Sequence, residues 1–256
     1  MLVVHVAGNT DTPKLVRTAL AVVGADIGRV AIVGGVAVTC RLRHAHRATT
    51  DVDTVAEARL PSVIEVLGDL PGAQAAANHA DRVELDGVAV DVIATTPLDA
   101  IDVDDPLDEL FVRAHRYALE EAEMVRLVVD GPDRVEGVLP LATAAGLVAT
   151  KLCGVLGRRR PPRKQATDGY DLYRLLEALD EDGDVAASVA AADGPLREAV
   201  RRASEDALLQ GASRVVRTIR RYGADALNEV SVDGLRFVGE RFVDRLGPRT
   251  SGNWSG

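Results

Sequence analysis

Two aspartates, Asp51 and Asp53, stand two residues apart in the run Arg47-Ala48-Thr49-Thr50-Asp51-Val52-Asp53-Thr54-Val55. In an extended strand residues i and i+2 point to the same face, which sets the two carboxylates side by side, roughly 6 to 7 Å apart. Paired hard oxygen ligands suit magnesium, which takes one or two carboxylates and completes its shell with water and substrate phosphate. Upstream, the apolar run ending in Ile32-Val33 enters Gly34-Gly35 and leaves as Val36-Ala37-Val38, the pattern of a buried strand, a tight turn and a helix start. Glycines at such a turn let a phosphate approach the backbone.

Further charged residues lie on apolar faces. Arg82 to Leu85, Asp86-Gly87, and Val88 to Ile93 read as a hairpin, which puts Asp91 between Val90 and Val92 in a central-looking strand. An acid there is costly to bury unless it pairs with an arginine or binds a metal, and both readings stand. In the helical half, Ala144, Leu147, Val148 and Val155 mark a buried stripe, and Lys151 falls within it. A lysine so placed either snorkels outward or meets a charged ligand. Asp168 and Asp171 then lie three residues apart on one face, beside the stripe of Leu172, Leu175, Leu176 and Leu179. Asp168 is alternatively an N-cap or first-turn acid favoured by the helix dipole.

The Gly34-Gly35 turn followed by Asp51-x-Asp53 resembles the signature of the nucleotidyltransferase superfamily, with a slightly longer spacer from Val36 to Thr50 that is read as a loop over Arg41 to Ala48. The segment Leu139-Pro140 to Lys151-Leu152, a basic loop, and Asp168-x-x-Asp171-Leu172 are similar to the second half of the AbiEii and MenT-type toxin nucleotidyltransferases. The resemblance runs from about Ile32 to Leu176, with Thr167 where the family usually has an arginine before the first aspartate.

The resemblance implies a Mg²⁺-dependent reaction in which a hydroxyl attacks the α-phosphorus of a nucleoside triphosphate and pyrophosphate leaves. It implies Asp51 and Asp53 as catalytic metal ligands and Asp91 as the third carboxylate, on a neighbouring strand. Lys151 compensates triphosphate charge, and Asp168 orients Lys151 or assists proton removal, with Asp171 beside them. It likewise places Gly34, Gly35, Arg47, Thr49 and Thr50 at the nucleotide, Thr49 standing where related toxins carry a phosphorylatable Ser or Thr. The acceptor it implies is RNA, the tRNA 3′ end foremost, and the setting a toxin–antitoxin or abortive-infection system with a possible cognate antitoxin. The same chemistry on a small molecule or protein side chain, and a nucleotide-binding regulator whose site has decayed, are the alternatives.

These side chains need an α/β core to hold them. Helical spacing covers Thr12 to Val23, Val30 to Val33 reads as a strand, and beyond Thr143 the pattern is almost wholly helical. The expected architecture is a nucleotidyltransferase-fold mixed sheet over residues 1–105, a mostly helical domain over 106–247 completing the active site, and a disordered tail over 248–256. The acidic stretch Asp99 to Pro106 is the expected boundary loop.

A chain of 256 residues that is 47% hydrophobic has ample core, and its aromatic content of 3% fits an Ala/Val/Arg-rich composition. The formal charge of -9 excludes a protein coated in basic surface for bulk nucleic-acid binding, though not local patches. Two loops are basic, Arg41-Leu-Arg-His-Ala-His-Arg47 and Arg158-Arg-Arg-Pro-Pro-Arg-Lys164, and read either as rims for a polyanionic acceptor or as solvated surface. Cys40 and Cys153 are too few for a disulfide framework. No window reaches the length of a membrane span and the N-terminus has no leader pattern, so a cytoplasmic location is expected. His44 and His46 lack zinc-site company and read as loop residues, and Cys40 as a packing residue.

Overall fold

The apolar runs of the first half pair into one mixed sheet. A computed structural model describes residues 1–7, 11–57, 60–76, 79–95, 105–130, 133–157, 160–223 and 229–247. Its strands are β1 (Leu2–Ala7), β2 (Val30–Val33), β3 (Asp51–Ala56), β4 (Ala73–Ala75), β5 (Arg82–Leu85), β6 (Val88–Ala94), β7 (Glu123–Asp130) and β8 (Val135–Leu141). They form an eight-stranded sheet in the order β1-β7-β8-β2-β3-β6-β5-β4. β2 lies between β8 and β3, and all four of its residues are buried, which is why Val30-Ala31-Ile32-Val33 is a continuous apolar run. β3 runs antiparallel to β2 and parallel to β6.

Helix α1 (Thr12–Gly24) buries Leu15, Val16, Ala19 and Val22 and carries Pro13 in its first turn, where the missing amide costs nothing. Helix α2 (Gly34–Leu42) follows β2 without an intervening loop and ends at Arg43, whose φ of 65° closes the C-terminus in the left-handed region. The β5–β6 turn has φ of 52° at Asp86 and 70° at Gly87, the two positive values that a two-residue hairpin turn requires. Helix α3 (Leu60–Gly68) completes the first hundred residues, and α4 (Pro106–Glu120) precedes β7.

Seven helical segments follow: α5 (Ala144–Leu156), α6 (Pro162–Leu179), α7 (Asp184–Ala191), α8 (Gly194–Ser204), a π-helical turn (Glu205–Gln210), α9 (Ala212–Tyr222) and α10 (Val232–Arg245). The chain divides into two compact units, Met1–Asp102 with Ala114–Leu147, and Val103–Arg113 with Val148–Gly256. This partition differs from a division near residue 105. Residues 114–147 fall in the first unit because β7 and β8 hydrogen-bond into its sheet, β7 lying between β1 and β8. Residues 99–104 of the expected boundary loop, Arg158 and Arg159 of the second basic loop, and the 248–256 tail lie outside the described residues. Among the described residues, no helix is long and apolar enough to cross a membrane.

Candidate active site

In the first unit, the pleat of β3 decides which side chains meet. Val52 and Thr54 are wholly buried on one face, while Asp51 and Asp53 are half-buried on the other. The register sets Asp53 opposite Val33 of β2 on one side and opposite Asp91 of β6 on the other. One carboxylate oxygen from each of Asp51, Asp53 and Asp91 lies within 4.8 Å of the others. Converging oxygen donors from three carboxylates match the hard-ligand set that a divalent cation such as Mg²⁺ takes, so the residues fit the ion that the sequence implies.

Gly34 is needed twice. Its φ of +64° is open to glycine, and a Cβ there would stand 1.8 Å from Asp53 Oδ2, well inside contact distance. A Cβ on Gly35 would stand 2.8 Å from Thr49 Cγ2 and 2.9 Å from Arg47 Nη2. The room that the glycine pair leaves is therefore taken by the chain's own Asp53, Thr49 and Arg47. Thr49 is buried, Thr50 is exposed, and Arg47 donates to the Ala48 carbonyl at 2.8 Å and to Thr49 Oγ1 at 3.4 Å. The N-cap of α2 is Val33, which has no side-chain oxygen to cap the first amides, and a helix start of this kind is the usual place for an anion.

Asp91 pairs with an arginine, one of the two readings of a strand acid, and its place in the aspartate set is compatible with the other. Arg82 Nε donates to its Oδ1 at 2.5 Å and Arg82 Nη2 to its Oδ2 at 2.9 Å, a two-pronged pair that raises the guanidinium's pKa further. A carboxylate offers about four lone-pair sites, so this fork leaves acceptor capacity toward Asp51 and Asp53. Sequence reasoning missed Arg82, yet the signal was present. A two-residue Asp86-Gly87 turn pairs Leu85 with Val88, and moving three residues away from the turn along each strand brings Arg82 opposite Asp91, as the ladder shows.

In the second unit, Lys151 of α5 is buried between two acids of α6. Its Nζ lies 2.7 Å from Asp168 Oδ1 and 2.7 Å from Asp171 Oδ2, with side chains 7%, 10% and 0% exposed respectively. Snorkelling is thereby excluded. The N-cap and first-turn readings of Asp168 are also excluded: α6 begins at Pro162 after the cap residue Pro161, six residues earlier, because a proline at the first helical position is pre-set for the helix. Gly154 makes the pair possible, since a Cβ there would stand 2.0 Å from Asp168 Oδ2. That oxygen is buried without a hydrogen bond, with Arg160 Nη1 at 3.6 Å. Gly154 was not singled out from the sequence, and Arg160 only as part of the second basic loop; a glycine one turn after Lys151 on an otherwise apolar stripe was the available signal.

Arg41, read as part of the first basic loop, lies instead in the last turn of α2 and is used inside the fold. Arg41 Nε and Nη2 donate to the carbonyls of Ala142 and Leu141 at 2.9 and 3.1 Å, and Nη1 to Glu123 at 2.7 Å. Burial pushes the thiols of Cys40 and Cys153 up to about 12, which removes both as nucleophiles. Among the described residues, the group of three or more potential ligands that converges is the aspartate set, without a histidine.

A family model described as "Nucleotidyl transferase AbiEii toxin, Type IV TA system" matches residues 21–235, a span that takes in both clusters. No curated protein and no solved structure matches the chain.

Proposed function

This chain belongs to the AbiEii family of nucleotidyl transferase toxins of type IV toxin–antitoxin systems, and on that premise we propose that it moves a nucleoside monophosphate from a nucleoside triphosphate to an RNA hydroxyl, the 3′ end of tRNA, with Mg²⁺ as the ion. The acceptor hydroxyl oxygen forms the bond to the α-phosphorus and gives up its proton to solvent, the bond from that phosphorus to the oxygen it shares with the β-phosphorus breaks, and pyrophosphate leaves with the electron pair. Mg²⁺ would be held by Asp51, Asp53 and Asp91, and when bound it supplies charge neutralisation and orientation for the phosphates.

The chain's own groups do the rest. The amides at the start of α2, beside Gly34 and Gly35, point donors at a phosphate. Arg82 holds Asp91 in one rotamer through its fork, so the three carboxylates keep their convergence. Lys151 balances triphosphate charge, and Asp168 and Asp171 fix its ammonium at 2.7 Å each. Asp168 acts on Lys151 rather than on the acceptor's proton, because its second oxygen is packed against Gly154. A reaction that needs nucleoside triphosphate and tRNA places the protein in the cytoplasm, alongside the antitoxin that a type IV system implies as a partner.

The convergence of three carboxylates within 4.8 Å next to the glycine-led start of α2 carries this reading. Pyrophosphate release is its test. With Mg²⁺ and all four triphosphates, release should depend on added tRNA and stop when that tRNA is digested beforehand. Release sustained instead by a protein or metabolite extract, and indifferent to RNA, would move the acceptor to that class.

A further inference from the structure

Helix α9 differs from the other exposed helices of the chain. Its sequence, Ala-Ser-Arg-Val-Val-Arg-Thr-Ile-Arg-Arg-Tyr, holds four arginines and no acid, within a chain of net charge -9. Its apolar side, Ala212, Val215, Val216 and Ile219, is buried. Val215 and Ile219 pack on α6 at Gly169, where a Cβ would meet Val215 Cγ1 at 3.1 Å and Ile219 Cδ1 at 3.4 Å. Gly169 adjoins Asp168, so α9 is seated on α6, the helix whose Asp168 and Asp171 pair with Lys151 of α5. Arg214, Arg217, Arg220 and Arg221 all fall on the exposed side.

On α4 and α6 some helical arginines are matched by acids one turn away: Arg113 with Glu109 at 2.9 Å, Arg116 with Glu120 at 2.7 Å and Arg174 with Glu177 at 3.3 Å. On α9 the one-turn neighbours are arginines, 214 with 217, 217 with 220 and 217 with 221, and each such like-charged pair weakens the helix. Among the described residues, the acid paired with this side is Asp206, 3.4 Å from Arg214, in a pair whose side chains are 62% and 55% exposed and which solvent screens. A concave surface of about 500 Å³ lies over Ser213, Val216, Arg217, Arg220, Arg221 and Val232. At its end Tyr222 is 40% exposed, with the Arg221 guanidinium 5.3 Å from its ring centre.

We propose that the arginine face of α9 binds the sugar–phosphate backbone of the acceptor RNA. This deepens the tRNA reading above and rests on it. Four cations spaced along one helix, unmatched by acids on their own helix, hold a polyanion through charge that salt weakens. An acidic protein would meet the same charge, but the part-exposed Tyr222 ring and the Arg221 guanidinium over it add planar groups on which an unpaired base stacks, as single-stranded RNA binding uses. Arg220 also holds the fold, donating to the Val230 carbonyl at 3.0 Å, so the test leaves it in place.

The experiment measures binding of total tRNA to the full chain, without triphosphate, across a salt series, for the wild type and for the triple variant Arg214→Gln, Arg217→Gln, Arg221→Gln. The variant should bind about tenfold or more weakly at low salt, with the slope of log affinity against log salt shallower by about 2 to 3. Its unfolding temperature should be unchanged or higher, because repulsion is removed. A lysine version of the same three positions should keep the wild-type slope. Equal affinity and slope in the folded glutamine variant, or a lost slope in the lysine version, would overturn the proposal. So would a wild type that does not bind tRNA, or poly-glutamate competing as well as RNA charge for charge, which assigns the face to an acidic protein. Label transfer by the wild type, run in parallel, separates the two claims. Transfer to tRNA with arginine-independent binding removes only the surface, whereas arginine-dependent binding without transfer removes only the tRNA reading.

Discussion

Asp51→Ala is expected to lower nucleotidyl transfer by about three orders of magnitude or more while leaving the chain folded. A carboxylate lost from a catalytic metal site removes several kcal/mol of charge stabilisation, and each 1.36 kcal/mol is worth about tenfold in rate. The effect on stability has the opposite sign. Asp51, Asp53 and Asp91 bring like charges within 4.8 Å of one another, a repulsion of about 1 to 3 kcal/mol per pair between the water-like and half-buried limits. Arg82 offsets part of it at Asp91. Removing Asp51 therefore leaves the metal-free melting temperature unchanged or raises it, and it abolishes the rise that Mg²⁺ gives the wild type by binding the folded state. Thermal melts with and without Mg²⁺, beside transfer rates, check both halves. A variant that unfolds while the metal-free wild type is stable would show Asp51 to be structural.

Lys151→Ala is expected to be costly to the helical unit itself, by about 3 to 5 kcal/mol, a melting shift on the order of 10 °C. The cause is not the lost attraction alone. Asp168 and Asp171 are 10% and 0% exposed, and without the ammonium two buried carboxylates lose the cation between them, with Arg160 at 3.6 Å compensating only Asp168 in part. The triple variant Lys151→Met, Asp168→Asn, Asp171→Asn removes all three charges and should recover most of the stability, yet it should not recover transfer. That pattern separates a buried ion cluster kept for function from one kept for folding. Wild-type stability in Lys151→Ala would mean that water already compensates the pair, and recovered transfer in the triple variant would dismiss the lysine from the reaction.

Much of the site's frame was legible because its signals are local. The run Val30 to Val33, the glycine pair and Asp-x-Asp report strand, helix start and strand through burial and pleat alone, and the Asp86-Gly87 turn reports the hairpin. Partners set by long-range pairing were not legible. Leu2 to Ala7 is a short apolar run like any other until β7, more than a hundred residues away, pairs with it in parallel. Ala73–Ala75 has too little apolar contrast to read as a strand before it pairs with β5. Arginines are the least legible of all, since one residue type serves opposite ends. Arg41, in a loop that read as an RNA rim, holds the carbonyls of Leu141 and Ala142, whereas the arginines of α9 read only as part of a helix. Asp168 shows the same limit on a smaller scale. Its place in the helix hinged on whether Pro161-Pro162 ended a loop or started α6, and the proline start moves it from cap to core.

The most direct test of the central claim supplies each of four α-labelled nucleoside triphosphates, with Mg²⁺, to total tRNA and follows the label. Label is expected on tRNA, lost when the terminal ribose has been oxidised by periodate and lost with Asp51→Ala. Label that reaches protein or small molecules but never RNA, or label on RNA that persists in Asp51→Ala, would contradict it.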